Sequence, residues 1–143
     1  MIDLQEILGA AVAQTASDVH FAVGRTPVLR VDGRLVPFGQ ATLTADDTLR
    51  IVRELASPRH LEYYQTRGGS DFSYVYKDAH YFRVSIFRQS GHASAVMRLI
   101  PNRMLDLAAI GLGEHVREML FKPRGLILLT GPTGSGKSTT LAA

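Results

Sequence analysis

The sequence contains no cysteine and no tryptophan, and lysine supplies only three of its sixteen cationic residues: Lys77, Lys122 and Lys137. Without cysteine there is neither a disulfide framework nor a thiolate metal site, which fits a reducing compartment. No run of about eighteen apolar residues occurs, so no membrane-spanning helix is expected. The opening residues, Met1 to Glu6, carry Asp3 and Glu6 and no basic start, which argues against a signal peptide. Disorder as the main state is excluded by an apolar fraction of 45% against 20% charged, close to the globular average. A strong excess of one charge is also missing. The net charge of +3 is too mild to indicate nucleic-acid binding, and no aromatic-basic strip suited to base stacking is present. The five histidines (His20, His60, His80, His92 and His115) show no metal-ligand spacing.

Acid is missing from one stretch in particular. Between Ala79 and Leu105 stand Arg83, Arg88, Arg98 and Arg103 with no Asp or Glu among them. Arginine suits bidentate contact with phosphate or carboxylate, although solvated strand faces account for such a pattern equally well.

What is there reads as an α+β domain followed by something of a different style. Leu4, Ile7, Leu8, Ala11 and Val12 make one apolar stripe, predicting a helix from Met1 to Gln14. Val19, Phe21 and Val23 alternate with Asp18, His20 and Ala22 as in a short strand. Asp32-Gly33 between Val28–Val31 and Arg34–Phe38 is a hairpin signal. Thr44 with Asp47 predicts the capped start of a helix to Ala56, with Leu49, Val52 and Leu55 on its apolar face. Ser57-Pro58 opens a third helix ending at Gly68-Gly69, with His60, Tyr63 and Tyr64 packing or capping around it. Three strands are expected next, about Asp71–Tyr76, His80–Gln89 and Ala93–Ile100, turning at Lys77-Asp78-Ala79 and Ser90-Gly91-His92. Residues 1–100 thus read as an antiparallel sheet with helices. Residues 101–113 read as a linker, with a hinge at Gly111 to Gly113. Residues 114–143 begin a second domain: a short helix, then Leu126 to Thr130, a continuous apolar run of the kind a strand buried on both faces of a parallel sheet shows.

The motif that carries chemistry is Gly131-Pro132-Thr133-Gly134-Ser135-Gly136-Lys137-Ser138, which fits the phosphate-binding loop pattern of Gly, four residues, Gly-Lys-Ser. Glycines let backbone N–H groups turn inward around phosphates. Lys137 places an ammonium between the β- and γ-phosphates of ATP, and Ser138 offers a hydroxyl to Mg²⁺. A helix opening at Lys137 adds its positive end. Few residues follow, so the expectation is a truncated ATPase core: its first strand and loop, without the acidic residue that holds the metal.

Strand parity orients two of the arginines. Phe82, Val84 and Ile86 share one face and suit the core, so Arg83 points the other way. Ala95, Met97 and Leu99 do the same in the next strand, which sends Arg98 outward. Asp18 and His20, alternating with Val19 and Phe21, also face away from the core, where hydrogen bonding within the domain or an intersubunit contact is favoured over catalysis.

PRGLILLT and GPTGSGKSTTLAA, preceded by ASDVHF, RVDGRL, DFSYVY, YFRVSIFRQ and VMRLIP, together resemble the ATPases of type II secretion and type IV pili, over essentially the whole chain from Leu4 to Ala143. The loop is shared by very many NTPases. The ordered set Ala16-Ser17-Asp18-x-His20, Phe82-Arg83-Val84 and Arg98-x-Ile100-Pro101 is more specific. The Ser-Asp-x-His segment starts at Ser17 after a single helix, as in the retraction ATPases of twitching motility, whereas assembly and secretion ATPases carry a long domain before it. The GPTGSGKSTTLAA form leans toward the main retraction motor and away from its paralogue.

The resemblance implies a PAS-like N-terminal domain, a RecA-like α/β ATPase domain and a homo-hexameric ring at the cytoplasmic face of the inner membrane. It implies a partner in the membrane-embedded pilus platform and membrane association through partners only, with no nucleic acid. The nucleotide-binding set it implies runs from Gly131 through Thr139, with Ser138 on the metal and Lys137, Arg83 and Arg98 acting on the phosphates. Function follows as the N-terminal part of a motor ATPase driving pilus retraction. The alternatives are an assembly or type II secretion motor and, from another class, a non-catalytic oligomerisation or nucleotide-sensing module. The 143 residues alone are expected to be inactive.

Overall fold

Helix α1 (Leu4–Ala13) starts where Asp3 caps it, its side chain accepting from the Gln5 N–H at 2.8 Å. Leu4, Ile7, Leu8 and Ala11 form its buried stripe. The strands β1 (Asp18–Phe21), β2 (Val28–Val31) and β3 (Arg34–Pro37) follow. Helix α2 (Ala45–Leu55) begins with the expected capping box, reciprocal between Thr44 and Asp47. Its buried face is Thr48, Ile51, Val52 and Leu55, one stripe at helical spacing. Leu49, expected on that face, sits at its margin, only partly buried against the core, and Ile51 takes the centre. Helix α3 (Pro58–Arg67) buries only Tyr64, and Ser57 makes no side-chain cap bond at its start.

The strands β4 (Gly69–Tyr76), β5 (His80–Gln89) and β6 (His92–Ile100) complete the first part of the chain. The computed structural model describes residues 3–100, 106–132 and 135–142. All six strands form one antiparallel sheet in the order β3-β2-β1-β6-β5-β4. The hairpin at Asp32-Gly33 has φ of 47° and 78° at its two central residues, the positive values that a tight turn of matching twist requires. The turn after β5 is likewise two residues, Ser90-Gly91, because His92 already pairs with Gln89. Val23 lies beyond the end of β1, and Gly69, expected to end α3, is the first residue of β4.

One sheet face is covered. Val19, Phe21, Leu29, Phe82, Val84, Ile86, Ala95 and Met97 join Leu4, Ile7, Leu8, Ile51 and Val52 in a single buried cluster. Among the described residues of this part of the chain no helix packs on the other face, which carries the polar side chains that parity sends there.

The chain divides into two units, Met1–Asn102 and Arg103–Ala143. In the second, helices α4 (Glu114–Leu120) and α5 (Lys137–Ala142) are present. Residues 106–112, expected as linker, form a turn: the Asp106 carboxylate accepts from the Ala109 N–H at 2.7 Å, and the Leu112 N–H donates to Leu107 O at 2.8 Å. Residues 101–105 of that stretch lie outside the described residues. Leu126 to Thr130, expected as a strand, pairs with no other strand among the described residues, and Leu126 and Leu128 are 80% and 74% exposed. An apolar run supplies propensity, but a strand exists only through a pairing partner, and the second unit has no other strand among its described residues.

Candidate functional site

The open face of the sheet is organised in rungs. Register places Leu35, Arg30, Asp18, Arg98, Arg83 and Ser73 side by side across all six strands. The next rung toward the other end of β1 runs Pro37, Val28, His20, Val96, Ser85, Asp71. Parity therefore brings Arg83 and Arg98 together as direct cross-strand neighbours on the uncovered face. A shallow depression is lined there by Asp18, Asp71, Arg83, Ser85, Val96 and Arg98.

Asp18 is the organiser of the first rung. It is only 6% exposed although it faces away from the core, because arginines flank it on both sides. Oδ1 accepts from Arg98 Nε at 2.9 Å. Oδ2 accepts from Ser17 Oγ at 2.9 Å and lies 3.3 Å from Arg30 Nε. Burial alone raises the Asp18 pKa, but the hydrogen bonds from Arg98 and Ser17, with the charges of Arg98 and His20, outweigh it and hold the carboxyl below its ordinary value. The two arginines are held differently. Arg30 also donates through Nη1 to Gly33 O at 3.1 Å, which ties it to the β2–β3 turn. Arg98 meets Asp18 through Nε and keeps 70% of its side chain exposed. Arg83 makes no ion pair among the described residues and is exposed. Like charges directly opposite in a sheet are destabilising; the Arg83–Arg98 pair is offset on one side only, by Asp18.

The sequence placed Asp18 outward but carried no signal for the ion-pair network, since the partners sit 12 and 80 residues away in the chain. His20 lies on the same face between the cross-strand neighbours Val28 and Val96. Its Nε2 is buried with no hydrogen-bond partner among the described residues. Burial lowers its pKa; Asp18 opposes this and Arg30 reinforces it, leaving the imidazole below its ordinary value. His60 stacks on Phe72 at 4.6 Å between ring centres, with Nδ1 3.1 Å from Ser70 Oγ, and Arg59 and Arg67 lie over the Tyr63 ring; these contacts serve α3 and its packing on β4.

In the second unit the glycine-rich segment closes on its own lysine. Lys137 Nζ donates to Gly131 O at 2.8 Å and Pro132 O at 2.6 Å. Gly131 has φ of 157° and a Cβ there would lie 2.6 Å from Ser135 Oγ; Gly136 has φ of 85°. A side chain at either position is thus resisted, one by crowding and one by backbone conformation. Ser138 and Thr139 lie in the first turn of α5, where the Thr140 N–H returns to Gly136 O at 2.9 Å. Thr133 and Gly134, two further residues of the expected nucleotide set, lie outside the described residues.

A family model described as "Type II/IV secretion system protein" matches residues 1–143. The chain is 37% identical over 142 residues to the type IV pilus retraction ATPase PilT of Pseudomonas aeruginosa, covering 99% of this chain and 41% of that protein. It is 33% identical over 137 residues to a twitching motility protein of Neisseria gonorrhoeae, covering 96% of this chain and 37% of that protein. The crystal structure of the pilus retraction motor PilT with bound ADP superposes with a TM-score of 0.88 at 34% identity, over 99% of this chain and 42% of that one. The chain thus spans about two fifths of the length of these proteins.

Proposed function

The chain belongs to the type II/IV secretion system protein family, and from that membership we propose that it is the N-terminal part of a hexameric motor ATPase that drives type IV pilus retraction. The observation that carries the reading is likeness along 99% of the chain to a protein named as a pilus retraction ATPase, together with an intact Gly131-to-Ser138 motif. In this reading residues 1–100 are a PAS-like domain, 101–113 a linker and 114–143 the start of a RecA-like domain. The ring works at the cytoplasmic face of the inner membrane through a platform protein. No helix among the described residues is long and apolar enough to cross a membrane.

ATP with Mg²⁺ supplies the hydrolysable phosphate anhydride. The residues present fit such a ligand: the space beside Gly136 is open, and the Lys137 ammonium is held on the carbonyls of Gly131 and Pro132. Gly131 to Thr139 hold the phosphates, Ser138 meets the metal, and Lys137 neutralises charge on the transferred group. Arg83 and Arg98, on the open sheet face, are assigned to nucleotide phosphates as well. Support for that role is their placement side by side on the open face, with Arg83 in no ion pair among the described residues.

The test is ATP turnover. In the full-length protein Lys137→Ala abolishes hydrolysis, because losing one phosphate-contacting charge costs several kcal/mol, about 10²–10³ in rate, in an electrostatically stabilised transfer. The 143-residue chain alone is expected to show none. Normal turnover by a folded Lys137→Ala protein overturns the reading. Turnover without loss of twitching in a strain lacking the protein favours a secretion motor instead, and loss of the pili themselves favours an assembly motor.

A further inference from the structure

The first rung of the open face holds three arginines and a single acid, and the acid treats them unequally. Asp18 shares Oδ2 between Ser17 and Arg30, and Arg30 is locked a second time to the Gly33 carbonyl. Its side chain is 35% exposed. Oδ1 is given to Arg98 alone, and it is given to Nε. A guanidinium gripped at Nε keeps its plane and direction fixed, while its two terminal amino groups stay available to a second acceptor. Arg98 is 70% exposed beyond that grip, and its cross-strand neighbour is Arg83, which has no ion pair among the described residues.

We propose that Asp18 is a positioning residue that holds Arg98 by Nε, so that its terminal amino groups stand beside Arg83 as a preformed two-arginine clamp for a polyphosphate. The inference rests on the reading of Arg83 and Arg98 as phosphate-facing residues given above. Arg30 is the counterweight of the arrangement: tied to the hairpin turn, it fixes the carboxylate from the far side and takes no part in the clamp. Holding Arg98 in advance removes the cost of ordering a long side chain when the anion arrives, and the carboxylate screens Arg98 from Arg83 while the site is empty.

The sign of the effect separates positioning from simple charge. Asp18→Asn removes a negative charge beside the clamp, so charge alone would draw ATP in more tightly and lower KM. Positioning predicts the opposite, a loss of about tenfold in kcat/KM, the scale on which a misplaced contact group acts. The experiment measures steady-state ATP hydrolysis and melting curves for full-length wild type, Asp18→Asn, Arg83→Ala, Arg98→Ala and the double variant Asp18→Asn with Arg98→Ala. The expected result is that Asp18→Asn is folded and slower, and that the double variant is no slower than Arg98→Ala, because Asp18 acts only through Arg98. Should Asp18→Asn melt early, Asp18→Glu keeps the charge and shifts the carboxylate by one methylene, and the same direction of loss is expected. Equal or higher kcat/KM in a folded Asp18 variant, or additive losses in the double variant, overturns the proposal while leaving the arginines' role standing. Wild-type turnover in both Arg83→Ala and Arg98→Ala overturns the phosphate-facing role of the arginines and the clamp together.

Discussion

His20 sits on the open face with a buried ring nitrogen that bonds to nothing among the described residues. A buried polar atom without a partner costs about 1–3 kcal/mol, so His20→Leu is expected to leave thermal stability at neutral pH unchanged or to raise it. The pH dependence has a definite sign. The folded pKa lies below the ordinary 6.5, so as pH falls the unfolded chain takes up the proton first, and stability present above 6.5 is lost on descent through the folded value. Melting temperature measured from neutral pH downward should therefore fall more steeply in wild type than in His20→Leu; equal slopes would assign the acid sensitivity to another group. Asp18 adds a second loss at lower pH, below 3.8, in the same direction. At Arg83 the expectation is reversed in kind: Arg83→Ala changes stability by under about 0.5 kcal/mol, as an exposed site should, yet slows full-length ATP turnover by about tenfold, a modest fraction of what an arginine finger supplies. Turnover at the wild-type rate in a folded full-length protein would mark Arg83 as surface only.

At the scale of elements, local signals were legible and long-range ones were not. The Thr44–Asp47 box, the Asp32-Gly33 turn and the alternation in β5 and β6 each depend on residues a few positions apart, and each stands where its pattern placed it. Thr44→Ala is expected to cost about 1 kcal/mol through the lost cap, read as a lower denaturant midpoint with unchanged slope. The pairing of β1 with β6 left no trace in periodicity, and with it went the Asp18–Arg98 bond. Parity could say that both residues face outward; only register could say that they meet. Leu126 to Thr130 shows the converse failure, where strong strand composition met no partner in the described residues. The glycine-rich motif is a pattern of contiguous residues, so it could be read in the sequence without any long-range contact.

For the whole molecule, the core described above belongs to the first unit, Met1–Asn102. A protein ending at Asn102 is expected to fold by itself, with a cooperative melt. Phe82→Ala in it should cost about 3–5 kcal/mol, the cost of deleting a fully buried aromatic. A melt without a sharp transition would show that the second unit is needed. The strand order has a consequence in time as well as in space. Strand β1 ends at Phe21 and its inner partner β6 begins only at His92, so during synthesis the middle of the sheet is the last part to be filled. Until then β1 and β5 each present an unpaired edge, flanked by hairpins that are already able to close, and such edges recruit other chains. The nascent protein is thus most exposed to neighbouring copies just before its β6 emerges from the ribosome, and insertion of that single strand joins the β1–β3 meander to the β4–β5 hairpin, seats Arg98 on Asp18 and pairs both inner edges.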